Sequence, residues 1–412
     1  MVDISTAMDK FLKCVRSLAP NARIVTASQY SPYRTRSKLS RNYGHAMALL
    51  PAILAERTSH VVVDRVDLSP PQLEKLVPGT LRSISISGYK GRQCHVELIQ
   101  RHAPWVERLE LVNFTVHSIT KLTWGNTTTT TRLYPRLKKL RIASVVGFRK
   151  TKMRQPTIDP FPALQVFDCQ TIFPFTSPVV LDGGQSHLRV LKLRMDVDLF
   201  GMMERNGLLR KSAFQQLEVI SLGWVERTSV GRQEFSERML LKSFEIGVHT
   251  QVVYANKLSI PNFDTVLPQV HFASTLRVLD FKEAALTAVQ AVTLLSGFPR
   301  LRDAKLSLCE TRGVRPKRMP TAEEVAQFHK QFIDCQSSVA FLDIHKTDYA
   351  NSRRAGEYIV MVADVLPSVV CVRICCSTNT RSSRVRRGVK YALQRNIYKN
   401  KRVHDIHFVD ED

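Results

Sequence analysis

Apolar residues recur along this chain in triplets spaced three residues and then two. The stretch "HLRVLKLRM" sets Leu188, Leu191 and Leu193 among mostly basic neighbours. A strand buried on one face alternates with period two and a helix repeats at three and four, so neither simple template fits. The spacing returns in Leu81/Ile84/Ile86, Val106/Leu109/Leu111, Leu137/Leu140/Ile142, Leu164/Phe167/Cys169, Leu217/Ile220/Leu222, Leu241/Phe244/Ile246 and Leu276/Leu279/Phe281. It continues in Leu301/Ala304/Leu306, Val339/Leu342/Ile344, Val369/Val372/Ile374 and Val403/Ile406/Phe408. Two less regular copies, Ala22/Val25/Ala27 and Val63/Val66/Leu68, bring the number of candidates to fourteen.

Successive first anchors lie 18 to 41 residues apart, mostly 24 to 35. Self-similarity at such a loose period predicts a solenoid in which each unit buries its apolar side only against its neighbours. Between several triplets the period becomes helical, as in "YGHAMALLPAILAER", "AALTAVQAVTLLSGF", "TAEEVAQFHKQFIDCQ" and "SRRAGEYIVMVADVLP". Pro135, Pro162, Pro299 and Pro367 stand just ahead of triplets, where a helix must already have ended. Helix, tight turn and strand form the predicted unit, and a row of such units gives parallel strands. In this reading the anchors point into the core, the chain turns into the strand between the first and second, and the residues between them look outward.

The pattern L-x-x-L-x-L, repeated with helical connectors, resembles the leucine-rich-repeat, ribonuclease-inhibitor-like fold in degenerate form. Phrases such as "LIQRHAPWVERLELVN" and "FPRLRDAKLSL" are similar to fungal F-box/leucine-rich-repeat proteins. The resemblance implies an α/β horseshoe with a parallel concave sheet and helices or irregular loops on the convex side. It implies one solenoid over residues 1–412 with about fourteen repeats, acting as a protein-interaction scaffold. Separately, the absence of a secretory pattern in the first residues and of any run of about 18 apolar residues predicts an intracellular protein of the cytoplasm or nucleus. The resemblance also implies substrate recognition for a cullin-type ubiquitin ligase. Proteins of that kind carry a helical F-box ahead of the repeats, whereas Met1 to Pro20 reads here as the helix of the first repeat.

Outward positions carry both signs of charge: Arg65, Asp67, Arg108, Glu110, Lys139, Arg141, Asp168, Lys192, Arg194, Glu245, Asp280, Lys282, Asp303, Lys305, Asp343, Arg373 and Asp405, with Ser83, Ser85, Ser87, His345 and His407. A mixed polar face with Phe341 as its single aromatic suits a protein partner better than a phosphate backbone, which calls for uniform positive charge. The expected partner contacts are Arg108, Glu110, Lys139, Arg141, Lys192, Arg194, Lys282, Asp303 and Lys305. Pairing of these charges across strands under solvent is the competing reading.

Net charge adds a second function class. Sixty Lys and Arg against 36 Asp and Glu leave a formal +24, which favours acidic partners, anionic membrane or nucleic acid. Arg136 to Arg154 and Arg381 to Arg402 hold no acid, and the second predicts a basic helix from Ser382 to Ile397 within the last repeat. Arg149, Lys150, Lys152, Arg154, Arg384, Arg386, Arg387 and Lys390 are the candidate nucleic-acid contacts, with Tyr391 and Tyr398 able to stack on bases.

Other chemistry has little footing. The eight cysteines form no C-x-x-C pair, which points to reduced thiols, and the first twenty residues carry no secretory pattern. The glycosylation triplets at Asn113 and Asn126 then have no route to modification, and Thr127 to Thr131 reads as a loop tip. No nucleophile elbow, phosphate loop or H-E-x-x-H motif occurs, so no catalytic residue, metal or cofactor is expected. His345, Cys371, Cys375 and His407 fall on adjacent predicted strands of one face, a donor set suited to zinc only if the register converges.

Overall fold

In a computed structural model, residues 24–28, 59–64, 79–90, 93–115, 122, 134–143, 161–169, 187–195, 197–205, 214–224, 232–256, 263–270, 272–308, 320–345, 352–377, 381–394 and 405–411 are described. The chain divides into two compact units, Met1–Leu188 and Arg189–Asp412. In the first, β1 (Ile24–Ser28), β2 (His60–Asp64), β3 (Ser83–Lys90), β4 (Arg108–Phe114), β5 (Lys139–Ala143) and β6 (Val166–Cys169) pair in chain order, all parallel. Helix α1 (Gln93–His102) connects β3 to β4.

The second unit repeats the plan with β7 (Val190–Met195), β8 (Val219–Trp224), β9 (Val252–Asn256), β10 (Val278–Leu286), β11 (Asp303–Leu308), β12 (Phe341–His345), β13 (Cys371–Ser377) and β14 (Asp405–Glu411). These too pair parallel in chain order. Its helices are α2 (Val197–Arg205), α3 (Arg232–Ile246), α4 (Ala288–Ser296), α5 (Ala322–Gln331), α6 (Ser352–Val365) and α7 (Arg381–Gln394). Each unit is therefore an α/β row of leucine-rich-repeat type. No helix among the described residues is long and apolar enough to cross a membrane.

The backbone explains the three-then-two spacing. Between the first and second anchors, one carbonyl accepts two consecutive N–H groups of the next repeat. Glu107 and Arg108 donate to Arg82 O at 2.7 and 3.0 Å, and Lys138 and Lys139 donate to Glu107 O at 2.8 and 3.0 Å. In the second unit Gln251 and Val252 donate to Glu218 O, Arg277 and Val278 to Gln251 O, and Arg302 and Asp303 to Arg277 O. Converging two donors on one acceptor bends the chain there, and the extra residue in the first interval is the bend. After it the strand alternates strictly, as in β7, where every second side chain is buried.

A fourth buried position precedes each bend. Leu137, Leu164, Leu217, Leu301 and Val369 each donate their N–H to a residue three earlier: Tyr134, Phe161, Phe214, Phe298 and Leu366. All five acceptor residues are buried. Proline follows four of them, at the turn position its fixed φ suits. Two helices predicted from Thr starts carry full capping boxes. Thr287 accepts from Gln290 N at the start of α4 and Thr321 from Glu324 N at the start of α5, with the Gln and Glu side chains bonding back.

Two triplets sit differently from expectation. In the second repeat, Val61 and Val63 are the buried strand anchors, in register with Ile84 and Ile86. The triplet Val63/Val66/Leu68 is thus displaced by five residues, and Arg65 and Asp67 lie outside the described residues. Leu241/Phe244/Ile246 belongs to α3, because a three-then-two spacing also fits one helical face. Glu245 accordingly stands on a helix, 2.6 Å from Lys242, and not on the sheet. The strand of that repeat is β9, whose anchors are Thr250, Val253 and Ala255. Thr250 fills a leucine position because its Oγ1 donates to Gly247 O at 2.6 Å, which satisfies the buried hydroxyl. The segment before the first repeat's strand, the helix read in "YGHAMALLPAILAER", Asn126 with the threonine run, and the anchors Ala22 and Val403 lie outside the described residues.

Burial also sets a pH response. His102 closes α1, is fully buried, and has no hydrogen-bond partner at either ring nitrogen. Desolvation first, and then Arg101, lower its pKa from 6.5 to about 4. The unfolded chain therefore binds this proton at a higher pH than the folded one, and stability falls as pH drops from 6.5 towards 4. The loss expected from this group is up to about 3 kcal/mol. Denaturant midpoints measured across that range on the wild type and on His102→Leu check it: the variant's profile is flatter, and parallel profiles would rule the effect out.

Candidate interaction face

Strand alternation leaves one sheet face of each unit to the side chains between the anchors. In the first unit the register sets His60, Ser83, Arg108, Lys139 and Val166 along one outward row. Val62, Ser85, Glu110, Arg141 and Asp168 form the next. The second row is largely self-neutralised: Arg141 donates to Glu110 at 2.7 Å and stands 3.7 Å from Asp168. The first is not. Arg108 and Lys139 lie directly opposite each other on β4 and β5, both exposed, with no acid on either among the described residues. Like charges in direct register repel, so this pair works against the sheet. Lys138, one residue earlier, does have a partner, Glu107 at 2.9 Å, and that hydrogen bond is the largest cause of the lowered Glu107 pKa.

The second unit presents a different first row. Val190, Val219, Val252 and Val278 align across four strands, followed by Asp303, Phe341 and Cys371. The next row runs Lys192, Ser221, Tyr254, Asp280, Lys305, Asp343, Arg373 and His407. From Asp280 onward the signs alternate. Arg373 grips Asp343 through two hydrogen bonds of 2.6 and 2.9 Å, and this contact raises the Arg373 pKa. Lys305 stands 3.9 Å from Asp280. At the β7 end Lys192 reaches past Ser221 to lie 5.3 Å from the Tyr254 ring centroid, a cation–π contact, and Arg194 beside it has no partner among the described residues.

The expected contact residues thus fall into two groups. Arg108, Lys139, Lys192 and Arg194 keep their charge available, as do Lys282 and Asp303, which have no ion pair among the described residues. Glu110, Arg141 and Lys305 spend theirs on neighbouring strands, as the competing reading held. The valine stripe and Tyr254 were not legible as face residues. Tyr254 hides on the strand whose first anchor is a threonine, although the run "VVY" is a β-rich signal.

His345 and Cys375 do meet in register, but Cys371 stands opposite Phe341 and His407 opposite Arg373, so the four donors spread over three outward rows. Among the described residues no group of three or more His, Cys, Asp or Glu is placed to hold a metal ion. The basic helix α7 is docked, with Val389 and Ala392 buried, while Arg387, Lys390 and Tyr391 face outward. Arg384 and Arg386 belong to the same helix; Arg149, Lys150, Lys152, Arg154 and Tyr398 lie outside the described residues.

No protein-family model matches the chain, and no curated protein matches it. Solved structures do match. One is the leucine-rich-repeat-containing protein LegL7 from Legionella pneumophila, 10% identical with a TM-score of 0.36, a match that covers 81% of this chain and 98% of that one.

Proposed function

We propose that the chain is a non-enzymatic interaction scaffold that binds a protein partner on the outward sheet face. The observation that carries this is selective neutralisation. Arg141, Lys305 and Arg373 stand beside carboxylates on adjacent strands, while among the described residues Arg108 and Lys139 face each other unneutralised and Lys192 and Arg194 have no acid. Side chains placed against their own electrostatics, on a surface held rigid by the strand ladder, are suited to an acidic partner segment. Affinity purification with mass spectrometry, repeated on Arg108→Glu/Lys139→Glu and on Lys192→Glu/Arg194→Glu, tests it. At least one reversal weakens a directly measured partner about tenfold or more; a partner set untouched by both ends the proposal.

Substrate recruitment in a ubiquitin ligase is the narrower form and is supported by the sequence resemblance alone. Cullin-type ligase subunits among the purified partners are the corresponding result. A second reading, nucleic-acid binding, draws on the outward Arg387, Lys390 and Tyr391 of α7. If it holds, affinity for duplex DNA falls with salt at a log–log slope of about −0.9 per neutralised phosphate, measurable by fluorescence anisotropy. A flat response removes it.

A further inference from the structure

Two carboxylates on the second unit's outward face are each only 6% exposed, and their fates differ. Asp343 is held by both arms of Arg373. Among the described residues the nearest cation to Asp280 is Lys305 at 3.9 Å, beyond hydrogen-bond length, and the Asp280 Oδ1 is buried with no hydrogen-bond partner. Withdrawing a carboxylate from water without returning its hydrogen bonds costs stability, and such a group persists where something else supplies them.

Its surroundings point to what does. Tyr254 stands opposite Asp280 in register on β9, and Val252 and Val278 stand opposite each other one outward position earlier. Asp303, the register partner of Val278 on β11, adds a second carboxylate without an ion pair among the described residues. On the far side of Tyr254 the sign reverses at Lys192, whose backbone lies three strands away from β10, about 14 Å at the usual strand spacing, and whose ammonium reaches back to the Tyr254 ring. Carboxylates with Lys305 beside them at one end, cations at the other, and Tyr254 and the valines between them make a strip of surface with polar ends.

We propose that Asp280 seats a guanidinium of the partner's bound segment, with Asp303 sharing its charge and Lys192 receiving an acid from the same segment. An arginine that displaces the Lys305 ammonium, and so opens the buried Oδ1, satisfies the carboxylate better, because its fork offers two parallel donors where Lys305 at its present distance offers no hydrogen bond. An extended chain advances about 3.3 Å per residue, so the acid and the arginine stand no more than about four residues apart, with apolar side chains between. This names the chemistry of the partner and rests on the scaffold reading.

A phage-displayed library of random twelve-residue peptides, selected on the full chain, tests the idea. The wild type enriches peptides that pair an acid with an arginine no more than about four residues away, with apolar residues between them. Asp280→Asn, which keeps shape and removes charge, loses the arginine preference, retains the acid, and binds the selected peptide about tenfold or more weakly. Asp303→Asn weakens it less. The melting temperature of Asp280→Asn without peptide is unchanged or higher, since a poorly satisfied buried charge is gone. Binders lacking any basic residue, equal binding to Asp280→Asn, or a melting temperature several degrees lower would each overturn the assignment. Binders that depend on Lys192 and Arg194 but not on Asp280 overturn it while leaving the scaffold standing. An empty selection overturns it too, and the partner purification then decides the scaffold separately.

Discussion

Leu279→Ala costs about 3 to 5 kcal/mol, the upper part of the range for a buried leucine. Leu279 is fully buried on β10 and lies in register between Val253 on β9 and Ala304 on β11. Because one neighbour is already alanine, truncation leaves two small side chains abreast. The strands cannot close the gap, since backbone hydrogen bonds fix their spacing near 4.8 Å, so the cavity persists and its cost adds to the lost transfer energy. Lys139→Ala, on the outward face of β5, is the control. Its side chain is exposed and has no ion pair among the described residues, so it changes stability by under about 1 kcal/mol. Urea midpoints of the two variants give the comparison, and a Leu279→Ala loss no larger than the control's would contradict the anchor assignment.

Gly356→Ala undocks α7. A Cβ at position 356 of α6 would lie 2.2 Å from the Val389 backbone nitrogen and 2.3 Å from the Gly388 carbonyl carbon. Both are main-chain atoms of α7, so no side-chain rotation relieves the clash and one helix must move. The sign is diagnostic. At a solvated helical glycine, alanine stabilises by about 1 kcal/mol, whereas forcing two packed helices apart costs about 1 to 3 kcal/mol. Hydrogen exchange reads it directly, as faster exchange at Lys390 to Gln394 with the strand amides of β10 to β12 unchanged. Slower exchange, or a higher melting temperature, would show that the close crossing is not maintained. Arg387, Lys390 and Tyr391 are displayed from this docked helix, so the variant also asks whether the basic surface needs its support.

The fold was legible because its main requirement is local. The bend that lets one carbonyl meet two N–H groups needs an added residue between the first and second anchors, and that residue shows as spacing in Leu188/Leu191/Leu193 and its counterparts. Helix starts at Thr287 and Thr321 were legible for the same reason, since a capping box is a contact between residues three apart. The reading went astray where a local pattern has two solutions or a polar residue replaces an anchor. Leu241/Phe244/Ile246 satisfies a helix face as well as a strand, and Thr250 carries no apolar signal until Gly247 O is seen to accept its hydroxyl.

The candidate site was legible only in part. Alternation correctly placed Arg108, Lys139, Lys192 and Arg194 on the outward face, but which charges remain available depends on register between residues about thirty positions apart. Arg373 meets Asp343, and Arg141 meets Glu110; a connector one residue longer leaves these pairs possible, yet a one-residue shift in strand pairing dissolves them. The sequence by itself determined the repeat, its core and the residues that look away from that core, because those follow from backbone geometry within a single repeat. Only the tertiary structure decided the alignment of four valines, the neutralisation of some outward charges and the unmet oxygen of Asp280, because each is a relation between neighbouring strands that no single repeat contains.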